Sequence, residues 1–201
     1  MTEPSPSEAG IPVLRTARLD IRTVREDDLD PCARLFDDIE WSDPARTAAE
    51  NRARRKSWIA WAIDSDREFA RLHQPPLGER AVVERASGQF IGMVGFVPSL
   101  FPLEALPSFG AASRARRSFD MGLFWAISPA RQRHGFAAEA AGAMIDYAFR
   151  VLRLARVIAT TEHDNAASIA VMRRLGMTVE RNPAPDPHFQ TVGWLDAGDR
   201  P

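Results

Sequence analysis

The chain is short of several residues and patterns that would commit it to common roles. It has one cysteine, Cys32, in 201 residues. An internal disulfide is therefore impossible, and no zinc site can be built from thiolates. That usage fits a reducing compartment, so a cytoplasmic location is expected. No apolar run approaches the ~20 residues of a membrane span. The first ten residues, M-T-E-P-S-P-S-E-A-G, have no positive region followed by an apolar one. They read as a floppy leader rather than a signal peptide. Charge of one sign is lacking as well: 26 Lys and Arg stand against 27 Asp and Glu, a net charge of -1. This speaks against general binding to nucleic acid or membrane. Neither G-x-x-x-x-G-K-[ST] nor G-x-G-x-x-G occurs, which weakens a nucleotide-phosphate reading. No internal repeat is visible.

What is present suits a globular domain. Hydrophobic residues make up 45% and charged residues 26%, and the length allows a real core. The expected organisation is a leader over 1–13, one domain over 14–196 and a short tail over 197–201. The most informative stretch runs from Phe119 to Phe149. Leu123 to Ile127 is a near-continuous apolar run, as in a buried strand, and Pro129 ends it. Ala137, Ala138, Ala140, Ala141, Met144, Ile145, Ala148 and Phe149 recur at helical spacing. Between them lies R-Q-R-H-G-F-A. A strand that feeds a basic loop opening directly into a helix makes an anion cradle. The first N–H groups of a helix lack internal partners, and the helix dipole favours negative charge there. Gly135 leaves room for a phosphate against the backbone.

Within this loop Gln132-x-x-Gly135-x-Ala137 resembles the Q/R-x-x-G-x-G/A motif of the GNAT superfamily of acyl-CoA-dependent N-acyltransferases. The continuation G-F-A-A-E-A is similar to its Rim-type, ribosomal-protein alanine acetyltransferase-like branch. Two further stretches carry the resemblance. Leu14 to Val24 alternates as a half-buried strand, and its T-x-R-L-x-I-R precedes an acidic helix start at Arg25 to Asp28. Near the other end, N-A-A-S-I-A-V-M-R-R-L-G-M from Asn165 is similar to the second GNAT signature, N-x-x-S-x-x-x-x-x-x-L-G-F. The three matches stand in order across about Leu14 to Leu195.

The remaining elements follow from pattern. Leu29, Cys32, Ala33, Leu35 and Phe36 form the apolar face of a first helix, with Cys32 as a core residue. Ala45 to Leu72 reads as one long helix or two, carrying Trp58 and Trp61, which the resemblance places near the acceptor. Its run R-A-R-R-K from Arg52 reads as a solvated face. Arg80 to Arg85 and Gln89 to Val97 flank Ala86-Ser87-Gly88 as a hairpin, with Gly92 and Gly95 marking a bulge or a close approach. Pro98 to Ser118 is long for a loop and reads as a lid, a partner contact or a partly disordered stretch. Arg156 to Glu162 is a strand. Asp164 is the expected N-cap of a helix over Asn165 to Leu175, and Gly176 ends it. Met177 to Arg181 and His188 to Leu195 are strands.

Taken with the resemblance, the expected fold is α/β (α+β): a GNAT-like mixed, mostly antiparallel sheet of about seven strands with helices on both faces. The implied activity is acetyl transfer from acetyl-CoA to a primary amine by direct attack. The acceptor is a protein N-terminus or a small molecule; a CoA-binding sensor without transfer is the alternative. No metal is expected, and a homodimer is compatible with the reading. By resemblance, main-chain groups of Trp125, Ala126 and Ile127 meet the pantetheine arm. Those of Gln132, Arg133, His134, Gly135, Phe136 and Ala137 meet the pyrophosphate, and Arg131, Arg133 and His134 add positive charge. Asn165 binds the pantetheine arm or caps its helix. The family often uses a tyrosine to protonate the leaving thiolate. Tyr147, the only tyrosine, lies in the central helix where core packing is expected. Ser168 is the substitute named for that task, with the alternative that no residue performs it. For the base the candidates are Asp120, Glu84 and a water chain. The family's acidic position falls on Gly122, one strand period or ~7 Å from Asp120.

Overall fold

The computed structural model describes residues 12–75, 77–100, 103–109, 119–183 and 190–199. Its first strands are β1 (Leu14–Arg15) and β2 (Leu19–Thr23), paired antiparallel with Leu14 opposite Ile21. The single strand expected from Leu14 to Val24 is thus two. Thr16 makes the break: its N–H donates to the Leu19 carbonyl at 3.0 Å, and its hydroxyl accepts from the Leu19 N–H at 2.9 Å. A hydroxyl that bonds its own backbone closes a tight turn, which alternation alone does not reveal.

A 3-10 turn, Glu26–Asp28, leads into α1 (Leu29–Asp38). Asp28 is buried, accepting from the Arg25 N–H at 2.8 Å and bidentately from Arg22 at 2.7 and 2.8 Å. Burial pushes the Cys32 thiol up to about 12, as befits a core residue. α2 (Ala48–Arg71) is one helix of 24 residues, started by a capping box of Thr47 and Glu50.

β3 (Glu79–Glu84) and β4 (Gln89–Ser99) form the expected hairpin. Val82 faces Gly92 while Val83 faces Phe90, so Ile91 is the extra residue of a β-bulge. The Ile91 carbonyl accepts from the Ser128 N–H at 2.9 Å. A Cβ at Gly92 would collide with the Ala126 carbonyl oxygen, so this glycine admits a neighbouring backbone.

The remaining elements are β5 (Asp120–Ile127), α3 (Phe136–Arg150), β6 (Arg156–Thr161), α4 (Ala166–Arg174), β7 (Thr178–Arg181) and β8 (Thr191–Asp196). The sheet order is β1-β2-β3-β4-β5-β6-β8-β7. Among the described residues this is a mixed α/β fold with eight strands, mostly antiparallel, and four α-helices, of the kind the GNAT resemblance implies. The strand beyond the expected seven comes from the Thr16 turn. β5 runs parallel to β6, and their register covers Met121 opposite Val157 and Gly122 opposite Ile158.

The chain forms two compact units. One contains residues up to Gly95 together with Trp125–Met144; the other contains Phe96–Phe124 and the residues from Ile145 onward. The first has a core that includes Leu19, Ile21, Phe36, Ile59, Val82, Met93, Ala140 and Met144. In the second, Leu103 and Leu106 pack with Ile158, Val192 and Trp194. These two leucines fall in the segment read as a lid. Leu103 opens a 3-10 turn at Leu103–Ala105, and Leu106 lies between it and a second at Pro107–Phe109. Residues three apart eclipse on such a turn, so a short irregular stretch can still present one apolar face. Residues 101–102 and 110–118 of the segment lie outside the described residues, as do residues 1–11 of the expected leader and His188 and Phe189 of the last expected strand. Among the described residues no helix is long and apolar enough to cross a membrane.

Candidate active site

The loop between β5 and α3 is built by backbone and side chain together. After Ile127 the chain makes a 3-10 turn at Pro129–Arg131, closed by the Arg131 N–H donating to the Ser128 carbonyl at 2.7 Å. The Gln132 amide reaches back to the Ile127 carbonyl at 2.9 Å, and His134 Nδ1 lies 2.7 Å from the Gln132 carbonyl. Arg133 and Gly135 take positive φ values of 64° and 81°. The first bond of α3 from this side is the Glu139 N–H to the Gly135 carbonyl at 3.0 Å. Among the described residues, the N–H groups of Arg133, His134, Gly135, Phe136, Ala137 and Ala138 have no acceptor. Alternating backbone hand at a helix N-terminus gathers such donors into a concave nest for an anion. Gln132 differs from this set, because its N–H lies 3.3 Å from the Pro129 carbonyl and closes the turn.

The mouth of α3 is held by residues outside the loop. Glu139, four residues into the helix, accepts from the Thr16 hydroxyl, from the Arg18 N–H at 3.0 Å and from Arg18 Nε at 2.7 Å. Arg18 also donates to the His134 carbonyl at 3.0 Å and lies over the Phe136 ring at 4.3 Å. Burial alone would raise the Glu139 carboxyl, but these hydrogen bonds and the Arg18 charge hold it below its ordinary range. Sequence reasoning noticed T-x-R-L and A-A-E-A as separate patterns and assigned neither Arg18 nor Glu139 a role. Their separation of 121 residues leaves no local signal that they meet.

The other site residues divide between the two units. In the first, Ala126 and Ile127 are buried and Trp125 is half-buried. The Ala126 carbonyl lies against Gly92, so the main-chain groups of Trp125, one residue earlier, face the opposite edge of the strand. Glu84 lies beside the loop: it pairs with Arg131 at 3.2 Å and accepts from the Ser87 hydroxyl at 2.6 Å. In the second, Asp120 is buried at the start of β5. A Cβ at Gly122 would come within 2.7 Å of the Val97 carbonyl oxygen, so a carboxylate cannot stand there without moving backbone. Asn165, not Asp164, is the N-cap of α4, and its Oδ1 accepts from the Ser168 N–H at 3.0 Å. Both side chains are competent caps, but only Asn165 stands three residues before that N–H. Ser168 is half-buried, and its hydroxyl has no partner among the described residues. Tyr147 is buried. Among the described residues no group of His, Cys, Asp or Glu could hold a metal ion.

Fold and loop together define an acyltransferase-type α/β protein with an anion nest at its central helix. Residues 18–178 match the acetyltransferase (GNAT) domain model. The chain belongs to the GNAT acetyltransferase family. It is 28% identical to the uncharacterized N-acetyltransferase YoaA of Bacillus subtilis over 170 residues, 84% of each chain. It is 41% identical to YnaD of the same organism over 56 residues, which span 28% of this chain and 33% of that protein. Rim-type proteins share the fold. RimJ of Mycobacterium smegmatis, solved with a CoA disulfide, superposes with a TM-score of 0.58 at 17% identity, covering 91% of this chain and 84% of that one.

Proposed function

We propose that this protein transfers an acetyl group from acetyl-CoA to a primary amine by direct attack. The observation that carries the reading is the row of unsatisfied N–H groups from Arg133 to Ala138 at the start of α3. Phe136 is buried and Gly135, Ala137 and Ala138 are half-buried, and such donors without acceptors are costly unless a ligand meets them. A pyrophosphate supplies acceptors of the right charge, and Arg131, Arg133 and His134 surround it with positive or polarisable groups. RimJ was solved with a CoA disulfide, which favours CoA among pyrophosphate ligands. Bound acetyl-CoA supplies the thioester.

In this reading the main chain of Trp125 and Ile127 orients the pantetheine arm. Asn165 starts α4, and the Ser168 hydroxyl is read as the group that hydrogen-bonds sulfur. Asp120 or a water chain takes the proton that the amine loses. Glu84 is the other carboxylate candidate; its Oε2 is engaged by both Arg131 and Ser87.

The test is titration calorimetry with acetyl-CoA, followed by thiol release against a panel of amines. Wild-type protein is expected to bind acetyl-CoA and release thiol with at least one amine. Gly135→Glu is expected to abolish binding. Its carboxylate would occupy the anion's place, and its side chain would strain a backbone held at φ 81°. Wild-type affinity in a folded Gly135→Glu protein overturns the loop assignment. Binding without thiol release from any amine points to a CoA sensor instead.

A further inference from the structure

A pocket of about 220 Å³ opens between the end of α1 and the start of α2, lined by Trp41, Asp43, Asn51, Arg54, Arg55 and Trp58. Two of its polar members are already satisfied. Asn51 Nδ2 donates to the Asp43 carbonyl at 3.0 Å, and its Oδ1 accepts from the Asp43 N–H at 3.2 Å. The Asp43 carboxylate takes bonds from the Ala45 N–H at 3.0 Å and from Arg46 at 2.9 Å. These contacts fold the loop before α2 onto the helix.

Arg55 is different. Its guanidinium lies 3.6 Å from the centroid of Phe36 and 5.7 Å from that of Trp58. Its hydrogen bond among the described residues is a long one, 3.5 Å to the Trp41 carbonyl. A guanidinium carries five N–H donors, so most of this one's capacity is unmet. Arg52, one turn earlier on the same helix, shows the usual solution, an ion pair with Asp30 at 2.6 Å. Among the described residues Arg55 makes no ion pair; the charge of Asp37 acts on it from a distance, while burial disfavours its charge. The aromatic stack fixes the plane of the fork and leaves its donors aimed at whatever enters. Trp41 and Trp58 wall the space, and the Trp58 indole N–H is itself pinned to Glu79 at 3.2 Å. Glu79 faces Gly95 across the hairpin.

We propose that this pocket recognises a carboxylate on the amine acceptor, with Arg55 as the specificity-determining residue. The inference rests on the acetyl-transfer reading above for the word acceptor, and on the pocket alone for the carboxylate. A planar fork matches a planar carboxylate bidentately. Two indole faces suit a flat or apolar body between carboxylate and amine.

Para-aminomethylbenzoate and para-aminomethylbenzamide share the amine and the ring and differ in the anionic group. Their binding is followed by quenching of tryptophan fluorescence, which needs no acetyl transfer. The benzoate is expected to bind at least ~10-fold more tightly than the benzamide, a difference of about 1.4 kcal/mol. Arg55→Met is expected to remove that preference while acetyl-CoA affinity, measured by calorimetry, stays unchanged. Arg55→Lys keeps the charge without the fork and is expected to retain part of it, so the inference stays testable even if Arg55→Met does not fold. Equal affinity for the two probes in wild type, or a preference that survives in the Arg55 variants, overturns the proposal. Arg55 is then only a cation stacked on Phe36. If the preference depends on Arg55 but no amine elicits thiol release, the carboxylate site stands and the transferase reading falls. Thiol release at equal kcat/KM for both probes has the opposite consequence.

Discussion

The hydroxyl of Ser168 has no partner among the described residues, while its main-chain N–H is taken by Asn165 at 3.0 Å. The spacing N-x-x-S therefore has a structural cause: an N-cap side chain reaches the N–H three residues on. That leaves the hydroxyl available for other work. If it protonates the departing thiolate, Ser168→Ala lowers kcat by on the order of 10²-fold with little change in acetyl-CoA affinity. If it only hydrogen-bonds the resting sulfur, affinity falls and the saturated single-turnover rate is unchanged. Rapid-quench measurement beside a binding titration separates the two, and an unchanged saturated rate removes the acid assignment. A thiolate with an ordinary pKa of ~8.5 also leaves near neutral pH without help.

At the scale of elements, the N-terminus of α3 depends on the turn between β1 and β2. Arg18 bridges Glu139 in the helix and the His134 carbonyl in the loop. Arg18→Met is expected to weaken acetyl-CoA binding about tenfold, because the loop loses its fixed register against the helix. The stability loss is expected to be about 1 kcal/mol, as the pair is partly exposed to solvent. Calorimetry and urea unfolding measure the two effects, and unchanged affinity would show that the clamp serves the fold alone. A second element-scale expectation concerns the turns at Leu103–Phe109. Leu106→Ala should cost about 2–5 kcal/mol, since the side chain is 1% exposed. Hydrogen exchange at the Leu106 N–H, which is bonded to the Leu103 carbonyl at 2.9 Å, should be slow in the free protein. Fast exchange there would mean that this part of the segment opens.

The pH dependence of stability is a property of the whole molecule, and its carboxylates pull in opposite directions. Burial pushes Asp66 up to about 6, against the pull of Arg80 and with a further push from Glu79. Burial also raises Glu79, although the Trp58 N–H opposes it. A carboxyl raised on folding contributes stability that is full below its unfolded pKa, ~3.9 for Asp, and lost as pH rises through the folded value. Glu139 is lowered, so its contribution is present above ~4.3 and lost as pH falls through the folded value. Asp66→Asn is therefore expected to stabilise the protein at pH ~7.5 by about 1 kcal/mol, after allowing for solvent screening. Near pH 4 it should have little effect. Urea unfolding at both pH values tests this. A loss of stability at pH ~7.5 would show that attraction to Arg80 outweighs the burial of Asp66.

Much of the fold was legible because its signals are local. The apolar run before Pro129, the helical period after Gly135, the turn at Ala86-Ser87-Gly88 and the glycine at 176 each act within a few residues of chain. Steric and hydrogen-bonding preferences of that range are written directly in the order of side chains. The nest at Arg133 to Ala138 was legible for the same reason, since orphan donors follow from where a helix begins. Tertiary structure alone decided the rest. Thr16 splits a strand that alternation runs together, and Val97 crowds Gly122 so that no acid stands there. Arg18 finds Glu139 across 121 residues, and Arg55 comes to lie on Phe36 and makes no ion pair among the described residues. Each of these depends on which distant backbone or charge arrives at the position. One residue's neighbours in sequence carry no record of that until the chain is packed.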